Sequence, residues 1–176
     1  MYATLVQLAD FKLARELAQV ATPERGKVIS DALMEATLRG QDRSAWPTDQ
    51  VELADAAAVT ITQAIVDADA VIDGYLRTRK PVPYQVPLAA PVPGLVCVWS
   101  RWIARYLLHK DRVNTAEATD PVVRDYKEAL RFLQLTADGK FSLGADDPQA
   151  PPSSGSPEVC APPRVFSEDT LRDFGK

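Results

Sequence analysis

Between Val51 and Pro93 the sequence passes from uninterrupted helical periodicity into a stretch that no helix can enter. Ala54, Ala58, Ile61, Ile65, Ala68, Ile72 and Tyr75 recur in steps of four and three, so they line one helix face that can seat a partner helix. Five of the fourteen prolines then fall between Pro81 and Pro93. Each removes a backbone donor and biases the residue before it toward extended geometry. The juxtaposition points to a mainly α fold: a helical bundle around one long central helix, with a Pro-rich extended loop and an extended C-terminal tail.

Local signals place the ends of that helix. Asp49 with Glu52 three residues later has the form of a capping box, and the helix is expected to run to about Arg79. Glu52, Asp55 and Asp67 lie early or mid-helix while Arg77, Arg79 and Lys80 close the last turn, which suits the helix dipole. Gly74 costs roughly 1 kcal/mol relative to Ala inside a helix, so it marks either a close helix approach or a weak point. The thirteen-residue strap after Lys80 spans about 40 Å if polyproline-like, enough to return the chain along the helix. Two roles stand for it: an intrachain connector, or an intersubunit loop presenting Pro81, Val82, Pro83, Tyr84, Pro87, Leu88 and Pro91.

The flanking segments read as shorter helices. Thr4 with Gln7 is a capping box for a first helix carrying Leu5, Leu8, Leu13, Leu17 and Val20. Thr22-Pro23-Glu24 starts a second, with Val28, Ile29, Ala32, Leu33 and Ala36 inside and Gly40 closing it. Leu95 to Lys110 is the most apolar, with Leu95, Trp99, Trp102, Ile103, Tyr106 and Leu107 giving a wide stripe, and is expected to be the most buried. Asp120-Pro121 opens the last, bearing Val122, Tyr126, Ala129, Leu130 and Leu133, and Asp138-Gly139 ends it. Phe141-Ser-Leu143 is a short strand or an extended lead into the tail.

Composition divides the remainder. Residues 1–143 form the helical domain, 144–163 a Pro/Ser/Gly-rich linker with too little apolar surface to fold alone, and 164–176 a C-terminal anchor. In the anchor Ser167 caps a turn, Glu168 and Asp169 follow, and Phe166 with Leu171 forms a hydrophobic staple. Arg164, Val165, Phe166, Leu171 and Phe174 form the candidate partner-binding set, with a frayed terminus as the plainer reading.

A chain of 176 residues buries about 70% of its unfolded surface as one domain without staples. A net charge of -4 and a pI near 5.0 argue against general nucleic-acid binding. Cys97 and Cys160 show neither metal-ligand nor disulfide spacing. The start has no leader pattern and no run approaches a membrane span, so a soluble cytoplasmic protein with no membrane contact is expected.

Chemistry has few footholds. His109, the one histidine, lies at a polar helix end and reads as solvated. Asp69 and Asp73, four apart, form a carboxylate pair or cation site on one reading and a surface ion pair from Asp73 to Arg77 on the other, commoner one. No phosphate loop, nucleophile elbow or cysteine-histidine cluster occurs. The expectation is no enzyme, no catalytic residue, no metal and no cofactor.

Six stretches in order carry a resemblance. Met1-Tyr-Ala-Thr4, Ala68-Asp-Ala-Val-Ile-Asp-Gly-Tyr-Leu-Arg-Thr-Arg79, Ile103-Ala-Arg-Tyr-Leu107, Tyr126-Lys-Glu-Ala-Leu-Arg-Phe-Leu133, Gly139-Lys-Phe-Ser-Leu143 and Arg164-Val-Phe-Ser167 together resemble the phage Mu-like small head-tail connector proteins. Two departures stand out: the stretch from Pro23 to Trp46 is longer than that pattern, and Trp102 replaces an acidic residue. The resemblance implies a virion neck adaptor, assembled in the host cytoplasm, that forms a ring, expected to be dodecameric, beneath the portal protein. Its implied partners are portal, a stopper or tail-completion protein and neighbouring copies, with genomic DNA only passing through the channel. The alternatives are a stopper or tail-terminator subunit, or a small helical regulatory interaction module.

Overall fold

The computed structural model describes residues 1–12, 14–22, 29–110 and 120–144. Among them are six helices and no strand: α1 (Leu5–Phe11), α2 (Ala14–Ala21), α3 (Asp31–Arg39), α4 (Thr48–Arg77), α5 (Gly94–His109) and α6 (Pro121–Ala137). At 30 residues, α4 is about 45 Å long. It touches each of the other five, and its partnership with α5 is the most extensive. The mainly α architecture around a long central helix is the one its periodicity implies.

The buried face of α4 consists of Leu53, Ala54, Ala57, Ile61, Ala64, Ile65, Ala68, Ile72 and Leu76. The expected stripe is its centre, although Ala58 and Tyr75 are only half-buried and Leu53, Ala57, Ala64 and Leu76 widen it. Alanine at four of these positions leaves room for the bulkier α5, whose Trp99 and Ile103 are fully buried. From Val96 to His109 every α5 position is buried or half-buried, as befits the most apolar helix.

Several boundaries differ from the expected ones. α4 starts at Thr48 after Pro47, with no side-chain cap, so the Asp49-Glu52 capping box does not form. Pro47 has already started the helix two residues earlier, and Asp49 acts in the first turn on the helix dipole. The C-terminal end comes at Arg77 rather than Arg79. Pro81 disfavours helical geometry at Lys80, and the Thr78 hydroxyl takes the Tyr75 carbonyl (2.9 Å).

At the N-terminus Thr4 and Gln7 make the expected capping box, 3.2 and 3.1 Å, but the helix does not continue to Val20. Lys12 is extended and splits it, which lets Leu8 of α1 and Leu17, Ala18 and Ala21 of α2 all reach the core. α3 is capped by Ser30, whose hydroxyl accepts from the Leu33 N–H at 3.2 Å, rather than started at Pro23, which lies outside the described residues. Gly40, at φ +66°, closes it as its position implies. Met34 and Leu38 are buried there, whereas Ala32 faces out.

Asp120 caps α6 through the Val122 N–H (2.8 Å), with Pro121 in the first turn. Past Gly139 the described residues 140–144 form no strand. Phe141 wedges against Phe132 and Trp99, centroids 5.3 and 6.2 Å apart, and Trp99 stacks on Phe132 at 6.1 Å. Beside them Tyr106 and Tyr126 stack at 3.8 Å, tying α5 to α6 a second time.

Gly74 is neither a close helix approach nor a packed position: a Cβ there meets nothing within 4 Å. Gly74→Ala is therefore expected to raise stability by about 0.5–1 kcal/mol. Ile72→Ala, two residues away and fully buried, is expected to lower it by about 2–5 kcal/mol. Urea unfolding of both variants checks the contrast.

Candidate functional site

The strap between α4 and α5 has an inside and an outside. Val82, Val86, Leu88 and Val92 are half-buried and Tyr84 is buried, while Pro81, Pro83, Gln85, Pro87, Ala89, Ala90 and Pro91 are exposed. Exposed and inward positions alternate one by one from Pro81 to Ala89. Of the residues expected to meet a neighbouring subunit, Pro81, Pro83, Pro87 and Pro91 form an outward ridge. Tyr84 turns inward, and Val82 and Leu88 are half-buried beside it.

Four hydrogen bonds and one cation–π contact hold that orientation. The Lys80 N–H donates to the Ala137 carbonyl at the end of α6 (2.9 Å), and the Tyr84 N–H to the Leu76 carbonyl of α4 (3.1 Å). Arg79 donates to the Val82 carbonyl (3.1 Å) and lies 4.6 Å over the Tyr84 ring, a cation–π contact. The Leu88 N–H donates to the Tyr2 hydroxyl at 3.0 Å. At the first contact Gly139 is required twice: its φ is +73°, and a Cβ there would collide with the Lys80 carbonyl.

Tyr2 is the hinge pin of the arrangement. Its hydroxyl accepts from Leu88 and donates to Asp73, and its backbone N–H donates to Asp69 (2.8 Å). The other Asp69 oxygen accepts from Ser100 of α5 at 2.7 Å. The two acids that suggested a cation site thus join the N-terminus, α4, α5 and strap. Asp73 meets Tyr2 in place of the expected Arg77, because the extended Met1–Thr4 lead brings the phenol onto that turn of α4. Burial raises the Asp69 carboxyl, opposed by its bonds from Ser100 and Tyr2. Burial and the bond to Asp73 push the Tyr2 phenol well up. Among the described residues no three His, Cys, Asp or Glu side chains come together as a metal requires.

A second polar cluster lies on α2, α5 and α6. Glu16 accepts from Arg105 at 2.7 Å and meets His109 Nε2 at 2.9 Å, and the other end of the buried Arg105 is 3.8 Å from Asp125. His109 is thus a partnered, half-buried group rather than a solvated one, since α2 packs against its end of α5. Burial alone would raise the Glu16 carboxyl, but the bonds from His109 and Arg105 win and hold it at about 2. Cys97 is a half-buried free thiol. Among the described residues no helix is long and apolar enough to cross a membrane.

The tail set Arg164, Val165, Phe166, Leu171 and Phe174 lies outside the described residues, as do Cys160 and nearly all of the 144–163 linker.

Residues 2–161, from the Tyr2 pin through the strap and all six helices, match the family described as Bacteriophage Mu, Gp36. The chain belongs to that family. It is 32% identical over 139 residues to the Mu-like prophage FluMu protein gp36 of Haemophilus influenzae, covering 78% of this chain and 89% of that one. With the gene product J of Escherichia phage Mu it shares 33% identity over 110 residues, 60% of this chain and 69% of the other. No solved structure matches. The Mu-like resemblance carried by the ordered stretches is thereby established as a phage family. The Met1-Tyr-Ala-Thr4 start has a physical basis here, because its tyrosine holds the strap. Glu16 and Arg105 carry no local signal of their roles, since their partners lie 20 to 93 residues away in sequence; Gly139 ends α6 as its position implies, but its approach to the Lys80 carbonyl has no local signal.

Tyr2→Phe keeps the ring and removes the hydroxyl, leaving the Leu88 N–H and Asp73 without it. The expected loss is about 1–3 kcal/mol, together with faster amide hydrogen exchange at Leu88, measurable by NMR. The acid limb is governed in part by Glu16. With its folded value near 2 and its usual value of 4.5, its contribution is present above about pH 4.5 and disappears as pH falls toward 2. Glu16→Gln is expected to destabilise at pH 7 and to converge on the parent chain near pH 2, as followed by thermal unfolding across pH.

Proposed function

We propose that this gp36-family protein is a structural protein of the virion neck, a head-tail adaptor that forms a ring under the portal and links it to stopper or tail-completion proteins. The observation that carries this reading is the pinned strap. From Pro81 to Ser100 the sequence has no charged residue, and the outward ridge Pro81, Pro83, Pro87 and Pro91 is held by bonds to α4, α6 and Tyr2. Such a ridge is preorganised for docking, because its ordering entropy is spent on folding rather than on association. Membership of a phage family supplies the setting.

The work is geometric. Each copy is a rigid helical body that presents the ridge to a neighbour, and the segment 164–176, on its proline-bearing linker, is the anchor that engages portal. A linker of about twenty residues has a typical reach of roughly 25 Å, and repetition around the ring multiplies a weak anchor by avidity. DNA passes through the ring without sequence-specific contact, consistent with the acidic composition.

Co-expression of the full chain with its phage's portal protein tests the reading. The expected outcome is co-elution as a large complex that appears as a ring in electron micrographs, with portal retention lost on deletion of residues 164–176. A ring without portal affinity would instead indicate a stopper or tail-terminator subunit. A chain that stays monomeric or dimeric beside portal would refute the adaptor and favour a regulatory module.

A further inference from the structure

The two halves of the strap are fastened unequally. Its first half is held by the Lys80 and Tyr84 amides, by the bond from Arg79 to the Val82 carbonyl and by the Arg79 contact over the buried Tyr84 ring. From Gln85 to Val92 no residue is buried: Val86, Leu88 and Val92 are half-buried and the other five are exposed. Among the described residues Leu88 carries the one amide of this stretch that finds an acceptor, the Tyr2 hydroxyl at 3.0 Å.

Both ends of the stretch meet firm structure. Tyr84 donates to the Leu76 carbonyl on one side, at 3.1 Å, and on the other the Pro93 carbonyl accepts the Val96 amide of the first turn of α5, at 2.9 Å. Tyr2 is equally firm without the strap. It and Ala3 are 5% and 0% exposed, and its bonds to Asp69 and Asp73 use neither Leu88 nor any other strap residue. Lifting residues 85–92 therefore breaks one hydrogen bond and uncovers three partly buried side chains, while the bonds of α4, α5 and the N-terminal lead stay intact. Segments with so few buried contacts and so many unbonded amides are the ones that open locally, far below the free energy of unfolding.

We propose that residues 85–92 are a lid that opens as a unit between the fixed points Tyr84 and Pro93, with the Tyr2 hydroxyl as its latch. Closed, the lid sets Pro87 and Pro91 outward beside Pro81 and Pro83. Open, it releases Val86, Leu88 and Val92 from the body and leaves only the first two prolines of the ridge in place. On the adaptor reading, a neighbour that seats on the whole ridge binds the closed form alone and so holds the lid shut. The lid is a property of the single chain and stands or falls without that reading.

Amide hydrogen exchange of the full chain, followed by NMR at several low urea concentrations, tests it. Exchange through a local opening barely depends on urea, because little surface is exposed, whereas exchange through unfolding of the body rises steeply with it. The Leu88 amide is expected to exchange by the first route and the Tyr84 amide by the second. Tyr2→Phe is expected to speed Leu88 by about 10-fold with the weak urea dependence kept, which a general loss of stability does not produce. Val92→Ala trims a half-buried side chain of the lid and leaves Tyr2 alone. It is expected to speed Leu88 without moving Tyr84, and it reads the same unit if Tyr2→Phe does not fold. Equal rates with equal urea dependence at Leu88 and Tyr84 overturn the lid, by showing that the strap is one body. A Leu88 rate that Tyr2→Phe leaves unchanged overturns the latch.

Discussion

One phenol joins three parts of this chain that are far apart in sequence. The Tyr2 hydroxyl accepts the Leu88 amide of the strap and donates to Asp73 of α4, while the Tyr2 backbone N–H and the Ser100 hydroxyl occupy the two oxygens of Asp69. Take that group away and the strap keeps its contacts near Lys80 and Tyr84, but its second half is tied down only by apolar packing of Val86, Leu88 and Val92. The strap's orientation decides which residues become surface. Since its alternation sends Tyr84 inward and the prolines outward, the character of the exposed ridge depends on a hydrogen bond made by the second residue of the chain.

The body that receives the strap is stiff for a simple reason. α4 contributes small side chains and α5 large ones, so the two pack closely, and the Trp99, Phe132 and Phe141 cluster extends the core over α6. At the opposite end of α5 the joint is polar. There Arg105 connects Glu16 of α2 with Asp125 of α6, and the Glu16 carboxyl is pulled down where Asp69, near the strap, is raised by burial. The two half-buried acids therefore act with opposite sign on acid stability. Both lie on joints between helices.

How much of this could be read from residues alone follows from range. Thr4 with Gln7, Gly40, and Asp120 with Pro121 do what their local signals say, because a cap or a left-handed glycine is settled within four residues. The Asp49-Glu52 box was an equally good local signal, and Pro47 pre-empted it by starting the helix first. Asp73 and His109 had plausible local fates, an ion pair with Arg77 and a solvated helix end. Tertiary partners 71 and 93 residues away displaced both. The break at Lys12 is of the same kind: the local pattern favours one helix, and burial of Leu8 together with Leu17 favours two.

By itself, the sequence determined the helical class, the long α4 with its apolar stripe, the strap that cannot be helix and the place of each proline in it. It also carried the match of residues 2–161 to the Mu gp36 family. These are short-range properties: side-chain periodicity, missing N–H groups and caps act within a few residues. Only the tertiary structure decided that Tyr2 reaches Asp73, that the strap's prolines face outward, that Glu16 binds Arg105, and that Val59 and Val66 remain uncovered on α4. Each depends on which distant surfaces share a core, and a one-dimensional pattern specifies what a face is made of without specifying what comes to lie against it.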